Sequence, residues 1–176
     1  MRSRNLALLA LLALVVPQAA HAQTQKLNAK LQYAAKFLCG RGGGEDSGIG
    51  VVMGHYNTII NVQAVQNKTS LTFRATALSS DLDVDEGVPS GFYPIGQFDA
   101  DEGGAIPCGW IKSLLGVQGD SGFIEGFVSI YSNRPLNVSS VITGQDYYGE
   151  GGVSVMQTLQ VPANKSPMKI RIVEAQ

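Results

Sequence analysis

The sequence predicts an all-β protein, a single β-sandwich of about seven to eight antiparallel strands with a short helix near 109–115. Two observations predict this class. Apolar and polar residues alternate with a period of two along most of the chain after Gly50, which is typical of strands with one buried face. These strands are short and are separated by Gly, Pro and Asn, which favour turns, and such spacing indicates a sandwich.

The alternation defines the strands in order along the chain. Strands are predicted at 56–64, 71–77, 122–131, 136–143, 153–161 and 168–174. A short polar turn at 66–68 joins the first two, and this connection predicts that they form a hairpin. In the fourth strand, the alternation changes phase at Ser139 and Ser140, which predicts a β-bulge there.

The segment 24–39 fits two patterns. Its odd-numbered residues are apolar from Leu31 to Cys39, as in a strand. However, Leu27, Leu31, Ala34 and Leu38 also recur at helical spacing, and Gly40 is suited to end a helix. The pattern alone therefore leaves strand and helix open for this segment.

Residues 1–22 have the three parts of a secretory signal peptide. Two arginines give a positive start, an apolar run at 6–16 follows, and small residues at 20–22 form a cleavage site. The apolar run is shorter than the roughly 20 residues that span a bilayer. The sequence therefore predicts cleavage after residue 22, one β-sandwich domain at 23–176, and an exported protein that is periplasmic or extracellular, without a membrane span.

The charge of the chain is nearly balanced but unevenly distributed. The formal net charge is −1. A partner such as nucleic acid or an anionic membrane would call for an overall positive charge, which the sequence does not have, so neither is predicted. Acidic residues concentrate between Arg74 and Lys112, where no basic residue occurs. They are Asp81, Asp83, Asp85, Glu86, Asp99, Asp101 and Glu102.

This acidic segment is interpreted first as a solvated surface. The alternative is a weak calcium site, because calcium prefers several oxygen ligands and alternating carboxylates on a loop can supply them. Its ligands would be Asp81, Asp83, Asp85, Asp99 and Asp101. Calcium is the sole cofactor that the sequence suggests. Paired carboxylates also suit a glycosidase, but no aromatic-rich cleft is evident in the sequence.

Cys39 and Cys108 are the two cysteines of the chain. An even number of cysteines in an exported protein favours a disulfide, and the alternative is a pair of buried free thiols.

Several short segments resemble landmarks of a group of small uncharacterised exported microbial proteins. These segments are 33–40, 54–56, 60–63, 72–74, 106–108 and 126–128. The resemblance implies an Ig-like β-sandwich, a strand before the first cysteine, and pairing of Cys39 with Cys108. It implies no activity.

One motif suggests a serine hydrolase. The run Gly119-Asp120-Ser121-Gly122 matches the surroundings of the nucleophile in chymotrypsin-like proteases, and His55 with Asp99 completes the chain order. The chain is too short for the two barrels of that fold, and His55 lacks the expected neighbours. The motif is therefore interpreted as a turn before a strand, and no catalytic residue is predicted.

The sequence favours an exported, non-enzymatic binding or structural module at the cell envelope or outside the cell. Its partner would be a protein or a cell surface, with Tyr147 and Tyr148 as candidate contact residues in a loop. Self-assembly is a second possibility, in which residues 23–38 leave as a strand and complete a neighbour's sheet. The alternatives are a small extracytoplasmic hydrolase, using Ser121 with His55 or a pair of carboxylates, and a calcium-dependent adhesion module.

Overall fold

The computed structural model describes residues 24–42, 54–78, 87–117, 122–146 and 155–173. The predicted signal peptide lies outside these ranges, so its cleavage and the boundary at residue 23 stay predictions.

Within the described ranges the chain forms ten strands and one helix, all strand pairs being antiparallel. The elements are β1 (Thr24–Gly42), β2 (Gly54–Ala64), β3 (Thr69–Ala77), β4 (Val88–Pro89), β5 (Gly96–Phe98), β6 (Gly103–Pro107), α1 (Cys108–Leu114), β7 (Ile124–Ser132), β8 (Leu136–Asp146), β9 (Val155–Gln160) and β10 (Asn164–Val173). The predicted all-β sandwich is confirmed. Its seven longer strands match the predicted number, and the short β4, β5 and β6 are additional.

The strands form two layers that face each other across the larger of two clusters of buried apolar residues. The first layer has the order β10, β1, β7, β3, with β4 and β5 on the outer edge of β3. The second has the order β9, β8, β2, β6. The long strand β1 joins the layers, because its last residues, Gly40–Gly42, pair with β2. One side of the sandwich is therefore closed by continuous strand pairing.

The ambiguous segment 24–39 is a strand. Its first half pairs with β10 on one edge, and residues from Leu31 to Cys39 pair with β7 on the other. The odd-numbered side chains from Tyr33 to Cys39 are almost completely buried. Strand pairing on both edges and burial of one face therefore outweigh the helical propensity of Ala34 and Ala35.

The predicted hairpin between β2 and β3 is wrong. These strands lie in opposite layers: β2 pairs with β8 and β6, whereas β3 pairs with β7. Ile60 of β2 and Phe73 of β3 belong to the same buried core. Alternation predicts a buried face on each strand but does not distinguish strands that pair side by side from strands that face each other across a core.

The predicted bulge in β8 is also wrong. β8 pairs with β2 in unbroken register from Leu136 to Asp146, and Ser140 is fully buried. Its hydroxyl donates to the carbonyl oxygen of Lys36 at 2.9 Å. The apparent change of phase arises because a polar side chain with a hydrogen-bond partner occupies a core position. An irregular register occurs instead between β1 and β10, beside Pro167, which has no N–H to donate.

Three buried side chains connect β1 to the second layer. The backbone N–H of Leu136 donates to the hydroxyl of Tyr33 at 2.8 Å, and Ser140 bonds to Lys36 as described. The Thr58 hydroxyl accepts from the N–H of Leu38 at 2.9 Å and donates to its carbonyl oxygen at 2.8 Å. The bonds of Ser140 and Thr58 satisfy backbone groups on the edge of β1 that β10 leaves unpaired, whereas the Tyr33 hydroxyl satisfies the N–H of Leu136 in β8.

Helix α1 confirms the short helix predicted near 109–115, and its fully buried Ile111 anchors it to the core. Its first residue, Cys108, forms the predicted disulfide with Cys39, with a Cα–Cα distance of 5.6 Å. The N–H of Thr58 lies 3.0 Å from the sulfur of Cys108. No helix in the described ranges has the length and apolar character needed to cross a membrane.

Candidate functional site

A polar cavity of about 910 Å³ lies at the end of the sandwich where β1 passes into the second layer. Its polar lining residues are His55, Asn57, Lys112, Ser113, Thr143 and Gln145. The side chain of His55 is exposed, and His55 pairs with Gln145 across β2 and β8.

The structure separates His55 from the aspartate of the suggested triad. His55 lies near the start of β2, whereas the N–H of Asp101, two residues after Asp99, donates to Ala64 at the far end of that strand. Nine residues of a strand span roughly 30 Å. Asp99 therefore does not orient His55. Ser121 lies outside the described residues, so its pairing with His55 stays a prediction.

The carboxylates of the described part of the acidic segment lie in the turn between β5 and β6. The Asp99 carboxylate accepts from the N–H of Lys68 at 3.4 Å, and the Glu102 carboxylate accepts from the N–H of Asp99 at 2.8 Å. Ala100 donates its N–H to the Asn67 side chain at 2.8 Å. The carboxylates of Asp99 and Glu102 thus stabilise the turn and its contact with the β2–β3 connection.

The calcium hypothesis stays a prediction. Asp81, Asp83 and Asp85 lie outside the described residues, and within the described ranges no three His, Cys, Asp or Glu side chains cluster as metal ligands.

We expect millimolar calcium to leave the melting temperature unchanged, since the Asp99 carboxylate already holds the turn. A ligand that binds the folded state must raise the melting temperature by mass action. Thermal unfolding with calcium, and with magnesium as the control, tests this. A rise specific to calcium would overturn the interpretation of the segment as a solvated surface.

An apolar cleft lies on the side of the sandwich between β5 and β6, where the layers separate. Its volume is about 210 Å³, and none of the described residues that line it is charged. They are Val62, Leu71, Phe73, Tyr93, Pro94, Gly96, Phe98, Gly104, Ala105, Ile106 and Trp110.

Three aromatic rings form a column through this cleft. The rings of Phe73 and Tyr93 are stacked with centroids 4.8 Å apart, and those of Tyr93 and Trp110 are stacked at 5.6 Å, each pair tilted by 14°. Phe73 is 3% exposed, whereas Trp110 is 47% exposed. The column therefore leads from the core to an exposed indole ring.

The backbone fixes the middle ring of the column. The N–H of Tyr93 donates to the carbonyl oxygen of Phe73 at 2.8 Å, and the Tyr93 carbonyl oxygen accepts from the hydroxyl of Thr72. The ring of the neighbouring Phe92 contacts the ring of Tyr131 edge to face, with centroids 5.6 Å apart. The guanidinium carbon of Arg74 lies 5.3 Å from the centroid of the Phe92 ring, in a cation–π contact. The segment is thus anchored on the edge of β3, and the cleft is preformed.

Two glycines leave room in the cleft. A Cβ at Gly104 would lie 3.8 Å from the ring of Phe98, and one at Gly96 would lie 3.2 Å from the same ring. A larger side chain at Gly104 would therefore occupy space beside Phe98.

None of the predicted site residues lines this aromatic cleft, which the alternating pattern does not indicate. The available signal was the run Phe92-Tyr93-Pro94 and the lone Trp110 within an acidic segment. The predicted contact residues Tyr147 and Tyr148 lie outside the described residues.

No protein-family model matches this chain, and neither a curated protein nor a solved structure matches it. The resemblance to small exported microbial proteins therefore stays a prediction.

Proposed function

We propose that this protein is an exported, non-enzymatic binding module whose side cleft takes up an apolar group of its ligand. One observation carries the proposal: the preformed aromatic column ends in a half-exposed Trp110 beside an uncharged cleft. Ligand sites are concave and mostly apolar, and exposed tryptophan is frequent among residues that dominate binding energy.

The size of the cleft limits the group that it accepts. A cavity of about 150 Å³ holds one benzene ring. The side cleft, at about 210 Å³, therefore suits one aromatic ring or a short hydrocarbon group. The described residues that line it offer no carboxylate, imidazole, thiol or amine, which supports binding rather than acid–base or nucleophilic catalysis at this place.

Export is supported by two observations. The sequence predicts a signal peptide at 1–22, and the structure contains the Cys39–Cys108 disulfide. Disulfides persist mainly in oxidising compartments such as the periplasm and the extracellular space.

Strand exchange through residues 23–38 has less support. β1 lies between β7 and β10, and its end is linked through Cys39 to α1. Its departure would break both pairings and remove Tyr33 and Phe37 from the core.

We expect toluene, used as a probe of apolar binding, to change the fluorescence of Trp110 saturably. Trp110 is the chain's only tryptophan, so selective excitation reports on this cleft. Thermal unfolding supplies the second measurement, because bound toluene raises the melting temperature by mass action. Trp110→Ala, followed by thermal unfolding because it lacks the fluorescent reporter, should weaken binding about tenfold through the loss of aromatic contact.

Leu78→Ala is the matched control, because Leu78 is also 47% exposed but does not line the cleft. It should leave the binding of toluene unchanged. Gly104→Leu should block binding by filling the space beside Phe98. Absence of a saturable response in the unaltered protein, or equal loss in the Leu78 and Trp110 variants, would contradict the proposed site.

A further inference from the structure

Strand β6 has an edge beside the cleft with which no described strand pairs. Within the described ranges it pairs only with β2, where Ala64 donates its N–H to Glu102 at 2.8 Å and Val62 lies opposite Gly104. Successive residues of a strand direct their N–H and C=O groups to opposite edges. Gly103 and Ala105 therefore direct theirs away from β2, where no described residue pairs with them.

Among the described residues, this edge lacks the usual protection against another strand. Natural edge strands carry charged side chains, bulges or covering segments that prevent pairing with other chains. The outer edge of β3 is covered by β4, β5 and the segment between them, and β10 carries Lys165, Lys169 and Arg171. In β6, by contrast, Gly103, Gly104 and Ala105 are exposed and present no charged or bulky side chain.

The edge and the cleft are adjacent, because Gly104, Ala105 and Ile106 also line the cleft. We propose that an extended peptide segment of a partner protein adds to β6 as a further strand and places one apolar side chain in the cleft against Trp110. In such binding, main-chain hydrogen bonds supply affinity and a side-chain pocket supplies specificity. The inference rests on the proposed function and names its ligand class.

Charge near the start of β6 specifies the partner further. The exposed residues Asp99, Asp101 and Glu102 precede the strand. Two described cations belong to or contact the neighbouring β2–β3 connection: Lys68, whose backbone N–H bonds to Asp99, and Arg134, whose guanidinium bonds to Gln66. The three carboxylates outnumber these cations, so a peptide with a basic residue beside its apolar anchor is favoured.

The probe is a mixture of capped peptides of about seven residues, built from Thr, Val and Lys around a central Phe, the length matching a short edge strand. Binding is followed by Trp110 fluorescence. A mixture with central Ser tests the anchor, and N-methylation of alternate backbone amides tests strand pairing without altering the protein. We expect saturable binding of the Phe mixture and at least about tenfold weaker binding after either change.

Variants of the protein provide the second arm. Ala105→Pro removes the outward N–H, whereas Ala105→Ser keeps it, so the proline variant should bind the peptide at least about tenfold more weakly than the serine variant. Because Ala105 also lines the cleft, toluene binding is measured for both variants, and the loss of peptide binding by proline should exceed any loss of toluene binding. Melting temperatures show whether each variant is folded.

The outcomes separate the two proposals. Toluene binding without peptide binding, or peptide binding that is insensitive to N-methylation, would overturn the added strand and leave the proposed function standing. If the unaltered protein does not bind toluene, both the proposed function and the added strand are overturned. Size-exclusion chromatography with light scattering tests whether a second copy of the chain pairs with this edge. Dimers of the unaltered protein that Ala105→Pro abolishes would show that the edge serves self-association and would overturn the peptide proposal.

Discussion

Replacing Cys39 and Cys108 together by alanine is expected to lower the free energy of unfolding by about 4 kcal/mol. The disulfide joins residues 69 positions apart, and on the chain-entropy model closing such a loop removes about this much conformational freedom from the unfolded chain. The cross-link also holds α1 against the end of β1. Its loss should therefore loosen the wall of the side cleft that carries Trp110.

Urea unfolding of the oxidised protein and the double variant measures this change. Reduction of the unaltered protein is the matched control, since it breaks the same bond without changing the side chains. Mass spectrometry under non-reducing conditions verifies the bond in the starting material. Two alkylated thiols in native protein, or a double variant within about 1 kcal/mol of the oxidised protein, would contradict the assigned role.

Thr58→Val is expected to cost about 3 kcal/mol, because valine keeps the shape but loses the hydroxyl. The N–H and the C=O of Leu38 would then lose the partner that Thr58 supplies. Each buried backbone group left without a partner costs roughly 1–3 kcal/mol. Thr58 is fully buried, so water does not replace its hydroxyl.

Thr58→Ser is the control, because serine retains the hydroxyl and loses one methyl group. It should cost about 1 kcal/mol. The two variants are compared by their urea midpoints at equal slope. A valine variant as stable as the unaltered protein, with serine the more costly change, would show that packing of the methyl group, not the double hydrogen bond to Leu38, is what matters at this position.

The sequence predicted those parts of the fold that depend on local pattern. The alternation located the long strands, and the short helix and the disulfide were also expected. The pairing of β2 with β3 was wrong because a turn and two alternating segments fit a hairpin and a connection between layers equally well. The segment 24–39 stayed open because its residue types suit both structures, and its burial between β7 and β10 decides between them.

The cleft was not predictable from the sequence for a physical reason. Phe73, Tyr93 and Trp110 lie far apart in the chain, and none belongs to a motif with fixed spacing. They meet because the segment before β5 follows the edge of β3, while α1, which carries Trp110, follows β6 directly. Long-range contacts of this kind follow from the topology, which alternation does not specify.

The most direct test of the account is a two-dimensional amide NMR titration of the oxidised protein with toluene. The lone indole Nε1–H of Trp110 gives one resolved signal. We expect this signal to shift saturably together with the amides of Gly96, Gly104 and Ile106, which line the cleft. An indole signal that stays in place, or shifts that scatter over surfaces away from the cleft, would contradict the claim that this cleft is the binding site.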